Sequence, residues 1–256
     1  MIEPSFSVVI PTCDRPDYLN QALESVLSQT HQPTEIIVVD NGIEPVLPTN
    51  LPKDKKIKII RALPRFGVSQ ARNLGGILAS GDYIAFLDDD DKWDMKYLEN
   101  VLAKIQKDNP DIVLGRLRCL STGQLINGKQ AEYLDRANLI ELILRKNPGT
   151  VGSNTTVKRS TFLQFPGYDP WITTNQDKAL VLDLLIAGYS PIRAEQAWVE
   201  FRHHSNAERQ TELRKRIQGK WRFTRKYWSK MDWATRLFNM IQIGRLYFWQ
   251  LTGRTQ

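Results

Sequence analysis

Four consecutive carboxylates, Asp88 to Asp91, follow directly on the apolar run Tyr83-Ile84-Ala85-Phe86-Leu87. Like charges this crowded raise one another's pKa unless a cation takes them up. A hard divalent ion such as Mg²⁺ typically binds through one or two carboxylates plus substrate phosphates. The plainer reading of the run alone is a solvated acidic turn capping a helix that starts near Trp93, since Asp is favoured before helices. Other polar residues stand in comparable places: Thr12 and Asp14 follow the apolar run Phe6 to Ile10, and Asp40 ends the run from Glu35. With Arg72 and Asn73 opening a nearby helix, these positions suggest a nucleotide site. Carboxylates would address base, ribose and metal, and arginine the polar face or phosphates. Taken by itself, Arg72 also fits a surface helix arginine.

The elements that must position these residues are legible as an alternation of strands and helices. Phe6 to Ile10 is a buried strand, Asp14-Arg15-Pro16 opens a helix with Leu19, Ala22, Leu23, Val26 and Leu27 on one face, and Glu35 to Asp40 is a second buried strand. That unit has the length of a right-handed β-α-β crossover, so the strands are parallel. Ile57 to Arg61 reads as a third strand, Ser69 as the cap of a helix through Ala71, Leu74 and Leu78, and Tyr83 to Leu87 as a strand after the Gly81-Asp82 turn. A further amphipathic helix runs from Met95 to Ile105, ahead of a short strand at Ile112 to Leu114. The predicted fold class is α/β, an open and mostly parallel sheet flanked by helices, with ligands beyond the carboxyl ends of its strands. On that rule Thr12, Asp14, Asp40 and the aspartate run share one rim.

Composition sets outer bounds. A chain of 256 residues can bury a full core, and its length suggests one large domain or a domain with an appendage. The net charge of +7 is uneven: residues 206 to 256 hold twelve Lys or Arg against Glu208, Glu212 and Asp232, leaving the remainder at about −2. Cys13 and Cys119 show neither a pairing pattern nor metal-ligand spacing, which fits a reducing compartment. The early strand leaves no room for a leader, and no apolar stretch of about 18 residues occurs, so a cytosolic protein without a conventional membrane span is expected.

The motif blocks resemble family 2 inverting glycosyltransferases of the GT-A fold. Val9-Ile10-Pro11-Thr12, Asp14-Arg15, Leu19, Ser25-Val26-Leu27, Gln29-Thr30 and Glu35 to Gly42 are similar to the family's opening. Gly67-Val68-Ser69, Ala71-Arg72-Asn73, Gly75, Gly81 to Asp88 and Asp90-Asp91 are similar to its second block, so the agreement covers roughly residues 6 to 105. Weaker similarity extends through Gly167-Tyr168-Asp169, Gln176-Asp177 and Ala187-Gly188-Tyr189.

The resemblance implies a nucleotide-sugar site at Pro11, Thr12, Asp14, Arg15, Asp40, Arg72, Asp88 and Asp89. Asp40 would bind the nucleobase, usually uracil, with Arg72 close to base or diphosphate. Asp88 to Asp90 would form the Asp-x-Asp element, with Asp88 or Asp89 on ribose and Asp90 as principal ligand of Mg²⁺ or Mn²⁺; Asp88 stays open as a second metal ligand. His204, in the His203-His204 pair, would be a metal or phosphate ligand. Gly152, Ser153 and Asn154 would line the acceptor side. Asp177 would be the base that takes the acceptor's proton, helped toward its ionised form by a helix N-terminus. The family's Glu-Asp pair is Gln176-Asp177 here, so no role passes to the first position.

The expected activity is therefore metal-dependent inverting transfer of a sugar from a nucleoside-diphosphate donor, UDP-linked, to an acceptor hydroxyl on a glycan or lipid-linked glycan, in cell-surface glycan or glycolipid synthesis. A sugar-nucleotide nucleotidyltransferase is the competing enzyme class, but a Gly-rich phosphate loop is missing after the first strand, where Pro11-Thr12-Cys13-Asp14-Arg15-Pro16 stands. A nucleic-acid-binding protein would use the basic tail and leave the aspartates idle, so nucleic acid is not expected as a partner. The expected division is a catalytic domain at 1–205, with a nucleotide-sugar half at 1–115 and an acceptor half at 116–205, followed by a basic, aromatic-rich helical tail at 206–256. That tail combines cations with Trp221, Trp228, Trp233 and Trp249 and suits a membrane surface, placing the protein at the inner face of the cell membrane; packing back on the domain is the alternative.

Overall fold

The computed structural model describes residues 3–126, 136–189, 191–202 and 210–252. In chain order the elements are β1 (Phe6–Thr12), α1 (Pro16–Leu27), β2 (Glu35–Asp40), β3 (Ile57–Arg61), α2 (Val68–Leu78), β4 (Tyr83–Phe86), β5 (Lys92–Trp93), α3 (Tyr97–Asp108) and β6 (Ile112–Cys119). There follow β7 (Leu125–Ile126), α4 (Arg136–Arg145), β8 (Thr155–Lys158), α5 (Arg159–Leu163), α6 (Gln176–Ile186), β9 (Pro191–Phe201), α7 (Gln210–Lys226) and α8 (Trp233–Thr252).

One sheet runs in the order β3-β2-β1-β4-β8-β6-β9-β5, with β7 added to β6. Strands β3, β2, β1 and β4 are mutually parallel, as the crossover lengths require. Beyond β4 the sheet is mixed: β8 enters antiparallel between β4 and β6, and β6 pairs parallel with β9. The parallel strands read as continuous apolar runs because both faces are covered. Alternate residues divide between two cores: Val8, Ile10, Ile36, Val38, Tyr83 and Ala85 meet α1 and α3 on one side, while Val9, Ile37, Val39, Ile84 and Phe86 meet α2, α5 and α6 on the other. Helix α2 lies close on the sheet because Gly75 faces Val9 and Val39, where a Cβ would collide.

Two expected elements differ. No helix begins near Trp93: Lys92-Trp93 forms β5, paired antiparallel with Val199 and Glu200, and α3 starts only at Tyr97. A distant strand captures this segment, which local helix signals could not register. The strand expected at Ile112 to Leu114 extends to Cys119 because β9 pairs along its length.

Helix α7 packs into the core through Phe223, with Tyr227 and Met231 just after it, among the side chains that also bury Phe162 and Leu184. Lys226 holds Asp169 at 3.0 Å and Asp183 at 2.8 Å, and the Tyr227 hydroxyl donates to Asp183. Helix α8 is pinned by Asn239 Nδ2, which donates to the carbonyl of Leu144, and by Arg145, which donates to Thr235. Its outer face leaves Leu237, Ile241, Tyr247, Phe248 and Leu251 exposed. Among the described residues no helix is long and apolar enough to cross a membrane.

Candidate active site

The parallel pairing of β1 with β4 brings Thr12 beside the aspartate run, where its hydroxyl donates to Asp89 Oδ2 at 2.8 Å. The four carboxylates then diverge. Asp88 pairs with Arg72, Asp90 takes a 2.7 Å bond from Arg15, and Asp91 Oδ1 accepts the backbone N–H of Arg202. Ser153 ties the run to the 3-10 turn before β8: its hydroxyl bonds Asp91, while its carbonyl accepts from Trp93 Nε1. Asp88 and Asp90 remain partly accessible, whereas Asp89 and Asp91 are buried.

Burial and crowding are visible in the acidities. Asp89 is pushed up to about 6 by burial, opposed by the Thr12 hydrogen bond and reinforced by Asp90. Asp91 is raised by burial and then by Asp88 and Asp90. The rim thus holds more carboxylate than its arginines offset. An all-oxygen, anionic donor set of this kind suits Mg²⁺ or Mn²⁺. Among the described residues no three His, Cys, Asp or Glu side chains converge into a ready ligand cluster.

Arg72 is only 2% exposed and sits behind the run, joining Asp88 on one side to Asp177 at 2.9 Å on the other. Burial disfavours its charge, but the two carboxylates more than compensate and raise its pKa. Tyr168 covers the guanidinium at 5.0 Å, and Tyr168 is fixed in turn by a reciprocal pair of bonds with Asn73. Gly152 closes the other side; a Cβ there would fall 2.7 Å from Arg72 Cζ. The resemblance implies a place for Arg72 close to base or diphosphate; its described ion-pair partners are two carboxylates of the chain.

Asp177 occupies the first turn of α6, after Asn175 in the left-handed conformation. Burial raises its pKa to about 6 against the pull of Arg72. The ion pair is close but misaligned: Asp177 Oδ1 and Arg72 Nη1 make no hydrogen bond to any described residue. That oxygen is an acceptor without a donor.

In front of the run lies a cleft of about 610 Å³, lined by Pro11, Thr12, Cys13, Arg15, Asn41, Arg65, Gly67, Val68, Asp89 and Lys215. Its cations are Arg15, Arg65 and Lys215. Sequence reading found the first and missed the others: Arg65 lies in a loop, and Lys215 arrives from α7, a helix with no motif linking it to the site. Asp40 is 1% exposed and does not line the cleft; it accepts from Gly42 N, Val46 N and Arg61. Asp14 accepts from Ile43 N and Glu44 N. Both shape the loop after β2. Gly152, Ser153 and Asn154 are buried as a brace, Asn154 donating to the carbonyls of Gly115 and Gly149. His203 and His204 lie outside the described residues.

A family model described as Glycosyl transferase family 2 matches residues 7–164, more than half of the chain. The chain belongs to that family. Over 263 aligned residues it is 27% identical to the putative teichuronic acid biosynthesis glycosyltransferase TuaG of Bacillus subtilis, covering 98% of this chain and 92% of the relative. It is 31% identical over 113 residues to glycosyltransferase GlyG of Streptococcus pneumoniae, a match spanning 43% of this chain and only 38% of that one. Its backbone superposes on S. aureus TarS 1-349 with a TM-score of 0.63 at 16% identity, covering 91% of this chain and 68% of that chain. The likeness extends to TarS 1-349 in complex with UDP-GlcNAc, with a TM-score of 0.59 at 18% identity over 78% of this chain and 59% of that chain. The fold is of the GT-A type expected from the sequence.

Proposed function

We propose that this chain is an inverting, metal-dependent glycosyltransferase that moves a sugar from a UDP-linked donor to an acceptor hydroxyl in cell-surface polysaccharide synthesis. One observation carries the reading. A cationic cleft holds Asp89 of the acidic run in its lining, and Arg72 links Asp88 of the same run to the partly buried carboxylate of Asp177. In this reading Arg15, Arg65 and Lys215 bind and orient the donor diphosphate. Asp90, with Asp88, would hold Mg²⁺ or Mn²⁺, which when bound neutralises charge growing on the departing diphosphate. Asp177 takes the proton from the acceptor hydroxyl as its oxygen bonds to the sugar's anomeric carbon, and the bond from that carbon to the diphosphate breaks on the opposite face. An α-linked donor gives a β-linked product.

The names of the relatives and the UDP-GlcNAc in the TarS complex support donor and pathway class. The test is release of UDP from UDP-sugars in the presence of acceptor extract, with the product's anomeric configuration read by NMR. Chelation by EDTA and Asp90→Ala should both abolish transfer, and Mn²⁺ or Mg²⁺ should restore the chelated wild type. Full activity in chelated, metal-stripped enzyme would overturn the metal assignment, and retained configuration would overturn the single displacement.

The exposed apolar face of α8, flanked by Arg236 and Arg245, supports docking of the protein on the anionic inner surface of a membrane. Leu237→Glu with Phe248→Glu should abolish flotation with anionic vesicles while leaving the core intact; unchanged flotation would remove the membrane contact.

A further inference from the structure

A second cavity, of about 520 Å³, lies between α7, α8, the end of α4 and the segment leading into α6. One wall is cationic. Arg145, Lys146, Arg216 and Lys220 line it, and no Asp or Glu does. Arg145 is engaged by Glu141, Asp232 and Thr235, but Lys146, Arg216 and Lys220 have no carboxylate within ion-pair distance among the described residues. Burial lowers Lys220 to about 8. Next to it Lys178 is fully buried against the ring of Phe223, also without a described carboxylate partner. Cations of one sign gathered around a half-enclosed space, with no carboxylate in its lining, suit an anion supplied from outside.

The opposite wall differs in kind. Phe238, Leu246 and Trp249, with Gln242 between them, form a stripe along α8 that continues onto its exposed apolar face. The cavity therefore presents positive charge at one side and an apolar track at the other, which is the complement of an amphiphile with an anionic head. Its position connects it to the chemistry. Thr174 and Asn175 at its edge lie within three residues of Asp177, and Asn147 binds the backbone of Thr150, on the path to the Gly152 turn beneath Arg72.

We propose that this cavity anchors the acceptor, and that its ligand is the phosphate or diphosphate head of a lipid-linked acceptor whose chain follows Phe238, Leu246 and Trp249. The proposal rests on the glycosyltransferase reading, which it deepens by naming the acceptor class. Arg216 and Lys220 hold the head, and the glycan beyond it extends toward Asp177.

Calorimetry on the full chain tests this. UDP with Mg²⁺ is titrated first, so that the donor cleft is saturated before decyl phosphate, kept below its micelle concentration, is added. Decanol, inorganic pyrophosphate and digalacturonate are the comparison ligands. Decyl phosphate should bind the wild type, and Arg216→Gln and Lys220→Met should each weaken it about tenfold or more while UDP affinity stays unchanged, which also certifies their folding. Equal decyl phosphate affinity in wild type and both variants would overturn the site. Pyrophosphate binding as tightly as decyl phosphate would overturn the lipid chain, and tighter digalacturonate binding would overturn the phosphate head in favour of an acidic glycan. Failure of the wild type to bind UDP would instead overturn the donor reading, with decyl phosphate still reporting on this cavity.

Discussion

The amino end of the parallel sheet and the acidic site beyond its carboxyl end treat buried carboxylates in opposite ways. At the amino end Glu35, 2% exposed, accepts from the hydroxyls of Ser7 and Ser80 and from Ser80 N, and it pairs with Lys58 at 2.6 Å. Burial works against its charge, yet those partners lower its pKa from 4.5 to about 2. Asp82 nearby is likewise lowered by the backbone and side chain of Ser5. Beyond the carboxyl end Asp89, Asp91 and Asp177 are all raised, because burial exceeds what their partners return. Carboxylates that complete a fold come with their donors in place. At the acidic site the donors present do not offset burial and the crowding of like charge.

The largest separation of the two ends should come from Asp177→Asn. Transfer should fall by roughly two to four powers of ten, the usual worth of a positioned base, with UDP binding and the thermal midpoint close to wild type. Normal turnover in a variant that binds UDP would remove Asp177 from the mechanism. Arg72→Met comes next. It strands two carboxylates around a buried position, and denaturant unfolding should show a loss of about 3–5 kcal/mol, because breaking a buried pair leaves uncompensated charge. A loss below about 1 kcal/mol, the scale of a surface pair, would show that Arg72 does not join the two halves of the site.

Glu35→Gln probes the other end. Stability should drop by about 1–3 kcal/mol as its donors lose a charged acceptor, while turnover of the folded fraction stays unchanged. Reduced turnover per folded molecule would mean that the ends are coupled. The smallest effect is one of pH, and the two ends carry opposite signs. Asp177, raised to about 6, must be ionised to act, so activity should fall about tenfold for each pH unit below 6. Its own contribution to stability runs the other way, present at low pH and lost as pH rises through 6. Glu35, lowered to about 2, stabilises the fold above pH 4.5, and that contribution disappears as pH falls toward 2. Near pH 5 the protein should therefore be folded by circular dichroism and slow in UDP release; parallel loss of both signals would abolish the distinction.

The parallel half was legible because its information is local. Val8 to Ile10, Ile36 to Val39 and Ile84 to Phe86 are apolar on both faces, each is followed by a turn or helix signal, and the crossover lengths leave only a parallel arrangement. The rim followed from that geometry: strands that start level and run in parallel bring Thr12 and Asp89 together at their far ends. The acidic run announced itself by charge density alone.

Side-chain direction depended on partners remote in sequence. Nothing near Arg72 indicates that Asp177, more than a hundred positions on, will share its guanidinium with Asp88, or that Gly152 will leave space for it. Asp40 stands at a strand end as expected, but contacts from Gly42, Val46 and Arg61 decide which way its oxygens face. Lys92-Trp93 became a strand through Val199, and Lys215 reached the cleft only because Phe223, with Tyr227 just beyond the helix, carries α7 into the core. The order and parallel sense of the first strands, and the crowding of acid at their ends, belong to the sequence itself, because periodicity and chain length act over short distances. Which charges are offset and which are not was decided by tertiary packing, because burial and hydrogen-bond direction are set by whatever segment the fold brings alongside.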